Sequence, residues 1–210
     1  MTGSRNSEFN GVGRCFSGAG CHDMAVLWAN MQGGDTIEAE FTLGKEPLLI
    51  LVDDRRGLVT EPRAIRELHE TIADNFIRFE VNNRVVPYRE VQRFQQNEPK
   101  FDKMTTREIG EKLGADQVLY IGVDRFILYS EPGAPIFKGL FTLRVKVLST
   151  DRKADVRLWP RDKNGKLVET NTPPTPTDGD KTASDVASVL GIKAGQRVAG
   201  LFYKHKEFDD

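Results

Sequence analysis

The sequence predicts an α+β fold: a mixed, largely antiparallel sheet of four to five strands flanked by two to four helices. Three observations carry that reading. The run "LLILV" at 48–52 has strand length and no polar face, as a strand covered on both sides requires. Between 60 and 79, Ile65, Leu68, Ile72, Phe76 and Phe79 recur at steps of three and four, the period of a helix with one buried face. Further on, two long apolar segments flank the turn sequence "SEPGAP" and so return on each other antiparallel.

In chain order, residues 1–23 are rich in Gly, Ser and Asn without periodicity, and "MAVLWANM" is a short apolar patch closed by Gly33-Gly34. Residues 1–35 therefore read as a flexible leader or tether, and 36–210 as one domain. Ile37, Ala39, Phe41 and Leu43 alternate with Glu38, Glu40 and Thr42, which predicts a half-buried strand over 37–43. Thr60 is the expected N-cap of the first helix, with Pro62 in its first turn. "NNRVVPYREVQRF" predicts a turn, a short strand at Val85-Val86 and a brief helix after Pro87.

The stretch "TTREIGEKLGADQVLYIGVDRFILY" (105–129) looks like the mouth of an active site, but its signals are structural. Thr105 and Glu108 have capping-box spacing, Met104 and Ile109 sit where a hydrophobic staple would place them, and Gly114 supplies a left-handed stop. Strict alternation beyond it puts Leu119, Ile121, Val123 and Ile127 on one face, and Val118, Tyr120, Phe126 and Leu128 on the other. Phe141, Leu143, Val145 and Val147 alternate with Thr142, Arg144 and Lys146 in the next strand. "DVRLW" is a further short strand ending at Pro160, and Asn164-Gly165 is a hairpin signal. The Pro-rich segment 171–181 reads as an exposed loop leading to a C-terminal helix capped by Thr182 or Ser184. Gly191 and Gly195 each weaken that helix by roughly 1 kcal/mol, which predicts a break near one of them.

Composition removes several classes of function. With 30 Lys+Arg against 31 Asp+Glu the formal net charge is -1, so no overall field draws the chain to nucleic acid. No run of about 18 apolar residues is present. Cys15 and Cys21 are the only cysteines, so the fold stands without disulfides.

The residues with chemical potential are few. Asp53-Asp54 ends an apolar strand, where α/β sheets bind ligands and paired carboxylates can hold a metal or act as acid and base. "DDRR" is also an ordinary charged turn, and that reading is preferred; a metal-dependent enzyme or ligand-binding module built on Asp53 and Asp54, with Asp116 as a third carboxylate, is the alternative. His22, His69 and His205 show no ligand spacing, and no G-x-S-x-G elbow is present. Trp159 reads as a strand-end aromatic closing the core. Arg125, Lys138, Arg144 and Lys146 read as exposed strand charges that could form a basic strip. No catalytic, metal or cofactor residue is assigned. A hollow enclosing Asp53, Asp54 and a histidine would overturn this framework reading.

"SGAGC" (17–21) resembles the small-residue lipobox tail of bacterial lipoproteins, in which the cysteine carries a thioether-linked diacylglycerol. A lipobox follows an apolar segment of about 7–15 residues, and "MTGSRNSEFNGVGR" contains none. Either the start is misassigned and Cys21 is a lipid anchor, the preferred reading, or the cysteine is incidental. The order of elements, with Ile109, Gly110, Leu113, Gly114, Ala115, Asp116, Val118 and Leu119 in an "iG..lGAd.vl" phrase and Trp159 closing a later one, resembles the α/β domain shared by the TolB N-terminal domain, the curli secretion lipoprotein and the penicillin-binding-protein activator lipoproteins. The resemblance spans approximately 48–205 and implies a non-enzymatic envelope protein binding a protein partner or assisting an assembly. The expected location is the periplasmic face of the cell envelope, with membrane contact only through a lipid at Cys21; the cytoplasm is expected if the written N-terminus is the true one.

Overall fold

The computed structural model describes residues 36–129, 136–152, 156–176 and 182–206. Cys15, Cys21, His22, Trp28, the "SEPGAP" turn and the later part of the Pro-rich loop lie outside the described residues.

The α+β class holds. Among the described residues four α-helices, α1 (Pro62–Arg78), α2 (Tyr88–Asn97), α3 (Thr106–Lys112) and α4 (Ala183–Gly200), accompany eight strands: β1 (Thr36–Ile37), β2 (Leu48–Asp53), β3 (Gln117–Tyr129), β4 (Ile136–Ser149), β5 (Arg157–Trp159), β6 (Lys166–Asn171), β7 (Thr175–Pro176) and β8 (His205–Lys206). β1 pairs with β8 alone, antiparallel. In the main sheet β2 runs parallel to β3, and β3 antiparallel to β4. β5, β6 and β7 all pair with β4, at Val147–Leu148, Leu140–Val145 and Ile136–Phe137 respectively. They are successive pieces of one interrupted edge, so six strands occupy four positions. Asn164-Gly165 accordingly does not join a hairpin: Gly165 takes φ 89° in the turn between two collinear pieces. Thr175–Pro176, expected as loop, is the last piece of that edge.

Two apolar layers sandwich the sheet. Under α1 and α4 lie Leu48, Ile50, Ile121, Phe141, Leu143, Val145 and Val147; on the other face Val91 of α2, Ile109 of α3 and Met104 just before it cluster with Leu49, Leu51 and Val118 of the sheet. β2 contributes to both layers, which is why its sequence is apolar without interruption. Trp159 packs on the larger layer, its ring 5.7 Å from that of Phe202.

Several expectations are corrected. The first strand stops at Ile37 because Glu40 N (2.8 Å) and Phe41 N (3.3 Å) both donate to Leu201 O, bending the segment over the end of α4. The N-cap of α1 is Glu61, without a side-chain cap, because Pro62 takes the first helical position. Phe79 lies past the helix end, 43% exposed and stacked on Tyr203 at 4.1 Å. Val85 makes only a single bridge, to Leu48. In β3, register slips by one between Val123/Leu143 and Arg125/Thr142, a bulge at Asp124 that reverses the alternation. Phe126 and Leu128 therefore join the layer of Leu119, Ile121 and Val123 rather than that of Val118 and Tyr120.

α4 is unbroken. A Cβ on Gly191 would lie 2.4 Å from the Ala64 carbonyl oxygen, and one on Gly195 2.7 Å from Thr71 Cβ, so the two glycines let α4 close onto α1. Backbone proximity outweighs their weak propensity. Both capping boxes form: Thr105 with Glu108, and Thr182 with Asp185.

Candidate functional site

Asp53 and Asp54 end β2 as expected, but their oxygens already have partners. Asp54 Oδ1 and Oδ2 accept from Leu58 N (2.8 Å) and Val59 N (2.9 Å), so this side chain braces the loop into α1. Asp53 Oδ2 accepts from the Tyr120 hydroxyl at 2.8 Å, and Oδ1 from Arg55 N at 3.2 Å with Arg55 Nε at 3.3 Å. Asp116 stands at the opposite end of the sheet, donating its N–H to Pro47 O at 2.9 Å. Since Asp53 is level with Gly122, the two carboxylates are separated by about six strand residues, roughly 20 Å. They cannot share an ion. Among the described residues no cluster of three His, Cys, Asp or Glu side chains could hold a metal.

A partly open hollow of about 340 Å³ does have Asp53, Asp54 and His69 among its lining residues. His69 is 2% exposed, and neither ring nitrogen has a hydrogen-bond partner in the structure. Burial lowers its pKa from 6.5 to about 4, so the ring is neutral at neutral pH. The hollow thus collects the three residues that would suit a catalyst, with the Asp54 carboxylate bonded to the loop into α1 and that of Asp53 to Tyr120 and Arg55.

The larger feature lies on the α2/α3 face, beyond the reach of those short helices. An open cleft of about 940 Å³ has Tyr120 and Lys146 in its floor, with Arg55, Lys103 and Arg157 around the rim. Tyr120 lies flat because its neighbour is Gly122, where an added Cβ would sit 3.3 Å from the ring. Burial first, and then the bond to Asp53, push the Tyr120 hydroxyl well above its ordinary pKa, which keeps it a donor. Lys146 Nζ is 6.0 Å from the Tyr120 ring centroid. Arg55 is tied to Asp53 and to Met104 O (3.3 Å), while Lys103, Lys146 and Arg157 have no carboxylate partner among the described residues. Four cations thus surround one carboxylate that is already bonded.

Lys146 belongs to the basic strip suggested by sequence: Lys138, Arg144 and Lys146 share the open face of β4, Arg125 stands opposite Thr142 on that same face, and within the strip Arg144 is paired with Asp124 at 2.5 Å. Lys103 and Arg157 gave no sequence signal, since they meet only because the loop before α3 and the edge strand β5 fold over the same patch of sheet. His205 lies on β8, away from either feature.

No protein-family model matches the chain, and no curated protein matches it. Similar solved structures include the PelC dodecamer of Paraburkholderia phytofirmans, 13% identical with TM-score 0.38, covering 82% of this chain and all of the other. The lipoprotein GNA1162 of Neisseria meningitidis is 14% identical with TM-score 0.40, over 74% and 99%. The hypothetical protein CT253 of Chlamydia trachomatis is 13% identical with TM-score 0.39, over 74% and 97%. None of the three carries the TolB, curli-secretion or penicillin-binding-protein-activator name. Likenesses this distant fix neither a family nor an activity.

Proposed function

We propose that this chain is a non-enzymatic binding domain of the bacterial cell envelope, tethered through a lipid on Cys21, that receives an acidic surface of a protein partner in the cationic cleft. The observation that carries the reading is the charge set of the cleft. Lys103, Lys146 and Arg157 have no carboxylate partner among the described residues, in a chain whose net charge is -1. Such a local excess steers an anionic partner and fixes its register, with an attraction that salt weakens. The tether is supported by "SGAGC", which has the small residues of a lipobox tail before its cysteine.

Two measurements test the two halves. Poly-glutamate should bind the full chain at low salt and lose affinity as salt rises; replacing Lys103, Lys146 and Arg157 together by alanine should abolish that binding. Undiminished binding by the triple variant refutes the cleft. For the tether, Cys21→Ala should move the protein, expressed from its own locus, from the membrane to the soluble fraction, and unchanged fractionation refutes it.

The rival reading, a metal-dependent enzyme or ligand-binding module at Asp53 and Asp54, draws on the hollow that those residues share with His69. Mg²⁺ or Ca²⁺ at a hundredfold excess over Kd should then stabilise the fold by about 2.7 kcal/mol.

A further inference from the structure

The floor of the cleft is chequered rather than uniformly cationic. Alternate residues of β4 face it, so Lys146 and Leu148 stand about 7 Å apart along one strand. Tyr120 lies opposite Lys146, and Arg157 lies opposite Leu148. Leu148 therefore has one cation beside it on its own strand and another across the ladder, with backbones about 5 Å apart. Val156, whose carbonyl accepts from Ser149 N at 2.8 Å, borders the same corner of the cleft.

The core accounts for little of this apolar pair. Leu148 is half-buried, resting on the smaller layer from its edge, and Val156 is 52% exposed and belongs to neither layer. A single surface valine needs no explanation. Here, though, two apolar side chains sit side by side between cations, inside the one concave feature that gathers free positive charge. An occupant made only of carboxylates would press charged groups against them, losing hydration there without a hydrogen bond in return.

We propose that the occupant of the cleft is an extended acidic segment of the partner that carries an apolar side chain of about leucine size, seated on Leu148 and Val156 while neighbouring carboxylates meet Lys146 and Arg157. An extended chain sets alternate side chains about 7 Å apart on one side, which is the spacing of Lys146 and Leu148. Carboxylate and apolar group thus come two positions apart in the incoming sequence. The inference rests on the cleft reading and sharpens it: the cations draw acidic segments in, and the apolar seat chooses among them, since specificity is a difference between affinities.

The test titrates two glutamate nonapeptides of equal charge, one with leucine and one with serine at the central position, into the full chain at low salt. The leucine peptide should bind about tenfold more tightly, as expected for taking most of an aliphatic side chain out of water. Leu148→Ser with Val156→Ser should remove that preference and leave the affinity of the serine peptide unchanged. Should the double variant fold poorly, Val156→Ser alone, at an exposed position, should reduce the preference about threefold. Equal affinity for the two peptides overturns the apolar seat and leaves the cationic cleft standing. A preference that survives the serine substitutions places the leucine elsewhere and overturns it too. If neither peptide binds, the cleft reading fails and this inference falls with it.

Discussion

On β4, Phe141, Leu143, Val145 and Val147 are buried under α1 and α4, whereas Lys146 and Leu148, on the same strand with the opposite orientation, stay half exposed. The contrast comes from what covers each face. Helices of 17 and 18 residues span about 26 Å, while those of 10 and 7 residues reach only about 15 and 10 Å. The long pair is further drawn in by Gly191 and Gly195, so one face is sealed by close backbone contact. The short pair covers β2 and the start of β3 and leaves the rest of its face bare. The fully buried aromatic and aliphatic side chains gather mostly on the sealed face, and the cleft lies on the open face, with the hollow at the β2 seam between the two layers.

The most direct way to break this comparison is to empty each face in turn. Phe141→Ala, at a fully buried ring, should cost about 3–5 kcal/mol in urea unfolding, because the sealed layer cannot collapse into the space. Leu148→Ala on the open face should cost about 1 kcal/mol or less, since only part of that side chain leaves water. Equal losses would mean that the open face is as integral to the core as the sealed one.

At the seam, acid is the probe. The His69 pKa is depressed from 6.5 to about 4 by burial, so the unfolded chain takes up the proton first. Stability from this residue is complete above pH 6.5, declines as pH falls towards 4 and is level below that; the drop corresponds to about 3 kcal/mol. His69→Leu should remove this part of the pH dependence, read as the difference between the two unfolding curves at pH 7 and pH 4.5. A variant whose stability parallels the parent over that interval would place the ring in contact with water.

Gly191→Ala sharpens the account of the sealed face. Alanine favours an isolated helix by about 1 kcal/mol, but its Cβ would meet the Ala64 carbonyl, and overpacking costs about 1–3 kcal/mol. A net loss of about 1 kcal/mol in urea unfolding is expected; a gain would show that α1 and α4 can part without penalty.

What could be read from the sequence was local. The Thr105 and Thr182 caps, the left-handed Gly114 and the alternation of β4 each depend on residues a few positions apart, and each formed. What misled was tertiary. A break near Gly191 was expected from propensity, yet the helix is continuous because Ala64, far away in sequence, fills the space beside it. Phe126 and Leu128 were assigned to the wrong face because nothing in their own pattern marks the bulge at Asp124. The carboxylates of Asp53 and Asp54 were visible as a motif, but their bonds to Tyr120, Leu58 and Val59 were not. The cleft was the least legible feature, since Lys103, Lys146 and Arg157 come from a loop and two strands that only the folded sheet brings together.

The smallest expected change in stability falls on that cleft. Lys146→Ala and Arg157→Ala remove cations with no carboxylate partner among the described residues, so no ion pair is lost and each should alter stability by less than about 0.5 kcal/mol. Lys146 has one further contact, its approach to the Tyr120 ring, worth about 0.5–1 kcal/mol at an exposed site. Removing the charge also relieves repulsion from the neighbouring cations, which opposes that loss. Unfolding midpoints of both variants should therefore match the parent while poly-glutamate affinity falls. If either substitution destabilised the fold as much as Gly191→Ala, the cations would belong to the framework, and the division between a sealed face that holds the fold and an open face that binds would fail at its clearest point.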